Sequence, residues 1–259
     1  MITLVGHGYI GNAVALELRK QKISFAWVRH TDRWQASGPI INAAGYIGFP
    51  NVDACEEKQE ETIEGNVHWP LRCEKIAGDL PVVHISSGCV YMGGPFTEED
   101  EPNFTGSFYS YSKVKQQEVL KRFMDKSYLL RMRMPFGLED HPKNLITKFN
   151  QYKTLVNGLN SLSRTEDVAR TAVFFAQNLP EYGIYNLVNP GFIENKEIAD
   201  ILGLEKNWVS QAEFLGTVKA PRSFCTLDST KLQAVFPLDD VRTALHSIIS
   251  ETLPVEAVA

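Results

Sequence analysis

Short apolar runs alternate with segments of helical spacing along the first half of the chain. The runs predict buried strands at residues 2–5, 24–28, 39–43, 82–86 and 128–132. The segments between them predict helices at residues 12–22, 54–77 and 109–124. Strands and helices in this alternation form βαβ units, whose parallel sheet is covered by helices on both faces. The pattern therefore predicts an α/β fold with a Rossmann-type doubly wound parallel sheet.

Two places depart from this alternation. Only about ten residues separate Arg29 from the strand that begins at Pro39, whereas a parallel crossover takes a dozen or more. We therefore expect one edge strand and its helix to be trimmed away. Within the segment 54–77, the pair Trp69-Pro70 predicts a break, because proline lacks the N–H that a helix interior uses.

The second half predicts a smaller mixed α/β lobe. Its patterns indicate helices at residues 164–178 and 194–202 and strands at residues 183–188 and 224–227. An apolar stripe on a last helix indicates core packing and comprises Val241, Leu245, Ile248, Ile249 and Leu253. We expect residues 1–155 to form a dinucleotide-binding domain and residues 156–259 a substrate-binding lobe, the two interleaved in one globular unit.

Composition narrows the class of protein. The 259 residues carry a net charge of −5, which gives no general basic field for nucleic acid. No stretch approaches the roughly 18 apolar residues of a membrane span. Four cysteines without a Cys-x-x-Cys pair argue against a zinc site or a disulfide framework and favour a reducing compartment. We expect a cytoplasmic protein without a metal, bound to neither nucleic acid nor membrane, and compatible with a homodimer.

A glycine turn, Gly6-His7-Gly8-Tyr9-Ile10-Gly11, lies between the first predicted strand and the first predicted helix. Glycines let the backbone turn tightly and approach a pyrophosphate, and the helix N-terminus supplies unpaired N–H groups. The candidate cofactor contacts are Gly6, Gly8, Tyr9, Ile10 and Gly11. The alternative is a turn without a ligand, since many glycine turns are only turns.

The end of the second strand bears on the choice of cofactor. An NAD site usually has an acid about 20 residues after the glycines, and Trp27-Val28-Arg29-His30 offers none. Arg29 can neutralise a 2′-phosphate, so we expect NADP(H) rather than NAD(H). In the alternative, Arg29 is only a surface charge, and Asp32 or another group determines which of the two cofactors binds. The residues Asn42, Ala43 and Ala44 follow the next strand and would let the chain pass under the adenine and ribose.

Tyr109 and Lys113 stand four residues apart on a predicted helix. A free tyrosine has a pKa near 10, and a cation one helical turn away on the same face lowers it. Ser87, at the end of the preceding strand, would align a substrate carbonyl while Tyr109 protonates its oxygen and a hydride reaches its carbon. Both Tyr109 and Lys113 are also candidate cofactor contacts. The pair Tyr111 and Lys115 has the same spacing.

Cys89 lies two positions beyond Ser87, so the two side chains share one face of an extended segment. An ordinary thiol has a pKa near 8.5 and can exchange a proton with a carbon beside a ketone. Inverting that carbon needs a second group on the opposite side, for which Lys148 is the candidate. The alternatives are an inert buried thiol and a solvated lysine.

Six segments give the chain a resemblance to a known family. They are NAAGYIGFPNVDACEEKQEETIEGN (42–66), EEDEPNFTGSFYSYSK (98–113), LRMRMP (130–135), NLITK (144–148), GIYNLVNPG (183–191) and APRSFCTLDSTK (220–231). With the glycine turn, they resemble the extended short-chain dehydrogenase/reductase superfamily. More narrowly, the chain is similar to the nucleotide-sugar 3,5-epimerase/4-reductases that complete UDP-L-rhamnose synthesis.

The resemblance implies a function and a role for each matching residue. Ser87, Tyr109 and Lys113 would form the reductase triad, and Cys89 and Lys148 the epimerase acid/base pair. Two further residues, Asn144 and Arg222, would approach the sugar nucleotide. We expect a bifunctional NADPH-dependent epimerase/reductase acting on a UDP- or dTDP-linked 4-keto-6-deoxyglucose. The alternatives are a plain 4-reductase and a non-catalytic NADP-binding regulatory subunit.

Overall fold

The computed structural model describes residues 1–252. Its strands are β1 (Ile2–Val5), β2 (Phe25–Val28), β3 (Ile40–Asn42), β4 (Val82–Ser87), β5 (Gly93–Phe96), β6 (Tyr128–Met132), β7 (Pro135–Phe136), β8 (Thr154–Val156), β9 (Leu159–Asn160), β10 (Ser163–Arg164), β11 (Gly183–Leu187), β12 (Ile193–Glu194), β13 (Asn207–Val209) and β14 (Cys225–Leu227). Its α-helices are α1 (Tyr9–Lys20), α2 (Ala54–Glu57), α3 (Gln59–Ile63), α4 (Trp69–Ala77), α5 (Phe108–Leu120), α6 (Leu145–Gln151), α7 (Thr165–Asn178), α8 (Asn195–Ile201), α9 (Gln211–Leu215), α10 (Thr230–Gln233) and α11 (Val241–Thr252).

A six-stranded parallel sheet in the order β11-β6-β4-β3-β1-β2 confirms the predicted fold class. The chain first moves outward from β1 to β2 and then returns to the other side of β1, so the direction of winding changes between β1 and β3. Ligands of open α/β sheets bind at such a switch point, beyond the carboxyl ends of the strands. The fold thus places a binding crevice after Val5 and Asn42.

The trimmed edge that the short connection predicts is confirmed. Within the described residues, β2 pairs with β1 alone, and no helix separates β2 from β3. The sheet therefore ends at β2, where a complete doubly wound sheet carries one more strand.

The predicted break at Trp69-Pro70 is wrong. The helical segment instead breaks at Lys58, whose backbone leaves the helical region with φ −108° and ψ 58°. A π-helical turn, Glu64–His68, then leads into α4, where Pro70 lies in the first turn. Proline fits there because the first N–H groups of a helix have no intrahelical acceptor.

The second half of the chain contributes both to the main sheet with its covering helices and to the smaller lobe. Helix α7 packs on α1 beneath the sheet, and β11 completes that sheet. Short two-stranded ladders and helices α6, α8 and α11 form the smaller lobe around a second core, which includes Val241, Leu245 and Ile248. Leu253 of the predicted stripe lies outside the described residues. No helix within residues 1–252 is long and apolar enough to cross a membrane.

Candidate active site

A cavity of about 620 Å³ opens between the carboxyl ends of the sheet strands and the smaller lobe. Twelve of the predicted site residues line it: Gly6, Gly8, Tyr9, Ile10, Ala43, Ala44, Ser87, Cys89, Tyr109, Lys113, Lys148 and Arg222. Four others lie outside its wall: Gly11, Arg29, Asn42 and Asn144. The fold thus brings residues from both halves of the sequence to one place.

The charge of the cavity wall opposes that of the whole chain. Five cations line the cavity, and none of its lining residues is an aspartate or a glutamate. These cations are Lys113, Arg133, Lys143, Lys148 and Arg222. A one-sign cleft inside a chain of net charge −5 concentrates anionic ligands. The wall therefore fits molecules that carry several phosphates.

The glycine turn forms the floor of the cavity. Gly6 has a φ of +105°, and a Cβ placed on it would lie 2.8 Å from the Ala44 nitrogen. A Cβ on Gly11 would lie 2.2 Å from the Gly6 oxygen, so Gly11 permits the turn without reaching the cavity. Gly8 precedes α1, has no side-chain cap and faces open space. The free N–H groups of α1 and this open backbone fit a pyrophosphate.

We expect Gly6→Ala to lower the free energy of unfolding by about 1–3 kcal/mol, because its backbone lies in a region that L-residues rarely adopt and its Cβ would meet the Ala44 backbone. Gly8→Ala is the matched control, since nothing lies within 4 Å of its Cβ and its φ is −86°. Urea unfolding measures both stabilities. Equal stabilities of the two variants would contradict this account of the turn.

Asn42 supports the cavity wall from behind. Its Oδ1 accepts hydrogen bonds from the Ala44 N–H at 3.2 Å and the Trp69 indole at 3.3 Å. Its Nδ2 donates to Nδ1 of His84 at 3.1 Å, and Nε2 of His84 lies 2.9 Å from the buried Glu74 carboxylate. These bonds leave Asn42 facing away from the cavity, where it fixes the Ala43–Ala44 loop.

Arg29 directly follows the edge strand β2, and its side chain is exposed. Its backbone N–H donates to Oδ2 of Asp32 at 2.6 Å. Two histidines that the sequence analysis did not single out line the cavity nearby, His7 and His30. The His7 ring stacks on Trp27 at 4.5 Å between ring centroids, and the Trp27 indole donates to the Gly6 carbonyl at 2.9 Å. This aromatic pair braces the turn at the trimmed edge.

Ser87, Tyr109 and Lys113 converge on the cavity from β4 and α5. Burial raises the pKa of Tyr109, and a hydrogen bond with Ser87 opposes that rise. Lys113 is 4% exposed, and its Nζ lies 5.9 Å from the centroid of the Tyr109 ring. Burial lowers the pKa of Lys113 to about 8. The phenol is therefore held as an acid beside an ammonium that titrates near neutrality.

The rival pair of equal spacing lies on the outside of the same helix. Tyr111 is 38% exposed, and Nζ of Lys115 donates to the Glu118 carboxylate at 2.7 Å. Neither lines the cavity. Helical spacing alone fits both pairs, but the face of α5 that packs on the sheet selects Tyr109 and Lys113.

The Cys89 thiol faces the cavity beside a residue that the sequence analysis missed. The Cys89 N–H donates to Oγ of Ser87 at 3.0 Å, which holds the two side chains in one turn. Arg133, just after β6, donates from Nη1 to the Cys89 sulfur at 2.9 Å. The signal in the sequence was a charged residue directly after the predicted strand 128–132, because an arginine is almost never fully buried without a partner.

Lys148 approaches the cavity from α6. Burial lowers its pKa, and the positive charges of Arg222 and Lys143 lower it further. Within residues 1–252, no group accepts a hydrogen bond from its ammonium, and only burial and neighbouring charges act on it. Asn144 caps α6: its Oδ1 accepts from the Ile146 N–H at 3.0 Å, and its Nδ2 donates to two loop carbonyls. Asn144 therefore orients the helix that carries Lys148, with its amide used inside the loop.

Arg222 links the lobe to the loop after β3. Its Nη1 donates to Oδ1 of Asp53 at 2.8 Å and to the Ala220 carbonyl, and Nη2 lies 3.4 Å from Oδ1 of Asn51. Burial tends to raise the pKa of Asp53, but the hydrogen bond from Arg222 holds it below its usual range. The guanidinium thus sits fixed where the two halves meet across the cavity.

This site and sheet place the chain among the extended short-chain dehydrogenases/reductases, a class of nicotinamide-dependent enzymes. No model of a known protein family matches the chain. A bifunctional dTDP-4-dehydrorhamnose 3,5-epimerase/dTDP-4-dehydrorhamnose reductase of Arabidopsis thaliana is 36% identical over 232 residues, which cover 82% of this chain and 76% of the relative. The chain belongs to the UDP-rhamnose synthase/dTDP-4-dehydrorhamnose reductase family.

Other relatives are longer, and solved structures share the fold. A trifunctional UDP-glucose 4,6-dehydratase/UDP-4-keto-6-deoxy-D-glucose 3,5-epimerase/UDP-4-keto-L-rhamnose-reductase of A. thaliana is 36% identical over 217 residues, 76% of this chain but only 32% of the relative. The chain thus spans about a third of that length. The L780 UDP-rhamnose synthase of Acanthamoeba polyphaga mimivirus superposes with a TM-score of 0.89 at 25% identity, covering 97% of this chain and 99% of that one. The NADP complex of the Bacillus anthracis dTDP-4-dehydrorhamnose reductase shows the same fold, with a TM-score of 0.80 at 17% identity and coverage of 97% and 99%.

Proposed function

We propose that the chain is a bifunctional enzyme that converts a UDP- or dTDP-linked 4-keto-6-deoxyglucose to the L-rhamnose form with NADPH. The observation that carries the proposal is the convergence of the Cys89 thiol, the Tyr109 phenol and the Lys148 ammonium on one cation-lined cavity above a glycine turn. The 3,5-epimerase/reductase activities in the relative's name support it.

NADP(H), when bound, supplies the hydride that reduces the ketone carbon. Under the proposal, the backbone of Gly6, Gly8, Tyr9 and Ile10 holds its pyrophosphate, while Gly11 permits the turn. The Ala43–Ala44 loop, braced by Asn42, passes along the adenosine, and Arg29 neutralises the 2′-phosphate at the trimmed edge. Lys113 holds the nicotinamide ribose, with Tyr109 beside it. The NADP complex of the B. anthracis enzyme, which has the same fold, supports this assignment.

The reductase half uses Ser87, Tyr109 and Lys113. Ser87 donates a hydrogen bond to the C4 carbonyl and fixes its direction. Tyr109 delivers its proton to the carbonyl oxygen as the carbon is reduced, and burial keeps the phenol protonated until then. The Lys113 ammonium stabilises the negative charge that the departing proton leaves on the phenol. The product is a secondary alcohol at C4.

We expect kcat/KM for ketone reduction to fall as the pH rises through about 8, the pKa of Lys113. Below that pH the ammonium is charged and stabilises the phenolate; above it the amine is neutral and this stabilisation is lost. Steady-state rates across the pH range measure the effect. In Lys113→Arg the decline at this pH should disappear, because a guanidinium keeps its charge. A wild-type profile that stays level above this pH would contradict the role of Lys113.

The epimerase half uses Cys89 and Lys148 on opposite sides of the sugar. The C4 ketone acidifies the hydrogens at C3 and C5, so one group removes such a proton and the other returns a proton to the opposite face. Asn144 orients α6 and thereby Lys148. Arg222 and the smaller lobe hold the nucleotide diphosphate. Under the proposal, residues 1–155 hold the cofactor and also supply Ser87, Cys89 and Lys148 to the sugar, while residues 156–259 complete the sugar-nucleotide site with Arg222.

The proposed setting is a reducing cytoplasm. All four cysteines are free thiols in the structure, which supports that setting. Among residues 1–252, no group of three or more His, Cys, Asp or Glu side chains is placed to hold a metal ion. A homodimer stays a prediction.

A substrate panel tests the proposal. The chain is incubated with UDP-, dTDP- or GDP-linked 4-keto-6-deoxyhexoses and either NADPH or NADH, and the nicotinamide absorbance is followed. We expect turnover with the UDP- or dTDP-linked 4-keto-6-deoxyglucose, faster with NADPH than with NADH. Binding of NADPH without turnover of any of these sugars would contradict the proposal and favour the regulatory subunit.

A further inference from the structure

Arg133 is a buried cation whose charge no carboxylate neutralises. Its side chain is 2% exposed, and within residues 1–252 it takes part in no ion pair. Burying an unpaired charge costs several kcal/mol. Arg131, two residues earlier and equally buried, differs: the charges around it include Glu98, Glu101 and Asp100. The groups near Arg133 that can become anionic are Cys89, Cys225 and Tyr109.

The guanidinium is held rigidly against the sulfur. Its Nη1 donates to Cys89 Sγ at 2.9 Å and to Ser223 Oγ at 3.3 Å. Its Nη2 donates to Asn160 Oδ1 at 2.5 Å and to the Ser223 carbonyl at 3.1 Å. A backbone bond from the Arg133 N–H to Ser163 Oγ at 2.9 Å fixes its base. Of these acceptors, only the sulfur can take a full negative charge.

Other cations face the sulfur, but their charge is conditional. Lys113 and Lys148 both interact with Cys89, and burial lowers the pKa of each. An arginine keeps its charge at every pH at which proteins are folded. Arg133 is therefore the one permanent cation among the described residues that bonds directly to the sulfur.

We propose that Arg133 is a positioning residue that holds the Cys89 sulfur as a thiolate facing the sugar. The inference rests on the proposed function, in which Cys89 exchanges protons with the sugar. A thiolate accepts a proton from carbon and forms a neutral S–H, while the Lys148 ammonium gives a proton to the other face and becomes a neutral amine. Solvent then restores both groups. Cations beside a cysteine favour the reactive thiolate in this way.

Alkylation of Cys89 by iodoacetamide tests the inference without any substrate. The label on Cys89 is measured by mass spectrometry, with Cys89→Ala as the blank; the other three cysteines are buried. In Arg133→Met the rate at neutral pH should fall roughly ten-fold or more, since the thiolate is the nucleophile. Arg133→Lys keeps the positive charge but loses the paired hydrogen bonds of the guanidinium, so its alkylation rate should lie between those of the wild type and Arg133→Met. Arg131→Met, the matched buried arginine without a bond to sulfur, should stay near the wild-type rate.

The inference would be overturned by equal alkylation rates in the wild type and Arg133→Met, or by an equal slowing of alkylation in Arg131→Met. Should the methionine variants fail to fold, the wild type gives the answer with two reagents. Anionic iodoacetate should gain on neutral iodoacetamide relative to their ratio with free cysteine, and low salt should increase that gain. A ratio equal to that of free cysteine would also overturn it.

Activity separates this inference from the proposed function. In Arg133→Lys, solvent exchange into the sugar should fall several-fold more than reduction of an already epimerised 4-keto sugar. Equal losses of both would show a general packing role and overturn the inference. Absence of exchange in the wild type, with alkylation still dependent on Arg133, would instead remove the epimerase half of the proposed function and leave the thiolate assignment standing.

Discussion

Tyr109→Phe should lower kcat for ketone reduction by about 10²–10⁴-fold, the usual contribution of a positioned general acid. The change removes one oxygen and keeps the ring that packs beside Lys113. NADPH binding, followed by fluorescence, should persist, because the glycine turn and the Ala43–Ala44 loop are untouched. Solvent exchange at the sugar should also persist, since it depends on Cys89 and Lys148. The measurement is single-turnover oxidation of NADPH with the keto sugar.

Tyr111→Phe is the matched control for that experiment. Tyr111 lies on the same helix beside its own lysine, but it is exposed and outside the cavity. We expect it to keep the wild-type rate. A Tyr109→Phe enzyme as fast as Tyr111→Phe would mean that the proton comes from another donor.

Cys89→Ala should reduce incorporation of solvent deuterium into the sugar ring by about 10²–10⁴-fold, since the group that exchanges the proton is gone. Reduction of an already epimerised 4-keto sugar should continue, because Ser87, Tyr109 and Lys113 remain. The same deletion frees the Arg133 guanidinium from the sulfur, and the alanine leaves room for water at that place. Proton NMR of the sugar recovered from D2O measures the exchange.

Cys225→Ala provides the comparison for Cys89. Cys225 is buried, faces the same guanidinium and donates from its sulfur to the Gly88 carbonyl at 3.3 Å, but it does not line the cavity. Its loss should change packing without ending exchange. Undiminished exchange in Cys89→Ala would exclude the thiol as the proton carrier, and an equal loss in both variants would point to packing.

Local sequence patterns predicted an element closely where the burial of its apolar side chains alone determined it. The buried parallel strands β1 and β6 have the predicted bounds because apolar residues predominate in each, with one polar or charged position inside it. The prediction at Pro70 was wrong because proline breaks a helix interior but fits a first turn. Pro70 lies in the first turn of α4 because a π-helical turn precedes that helix. The chain leaves the helical conformation at Lys58, where neither glycine nor proline stands. No local pattern in the sequence therefore indicated this break.

The site residues also fall into two groups: those that local spacing predicts and those that only distant contacts bring together. Tyr109 and Lys113 share a helix, so their spacing sufficed to predict that they meet. The bond between Arg133 and Cys89 joins positions 44 residues apart, and only the pairing of β4 with β6 brings them together. Asn144 shows the reverse case: the resemblance implied that it approaches the sugar nucleotide, whereas it lies outside the cavity wall and its amide caps the start of α6. Long-range contacts of this kind cannot be deduced from one-dimensional periodicity.

The most direct test of a thiol and a phenol acting on one keto sugar is the labelling pattern of the product. UDP-4-keto-6-deoxyglucose is converted with NADPH in D2O, and the product is examined by NMR. We expect deuterium at C3 and C5, protium at C4, and the L-rhamnose configuration. A reduced sugar that retains protium at C3 and C5 would contradict it and leave a plain 4-reductase.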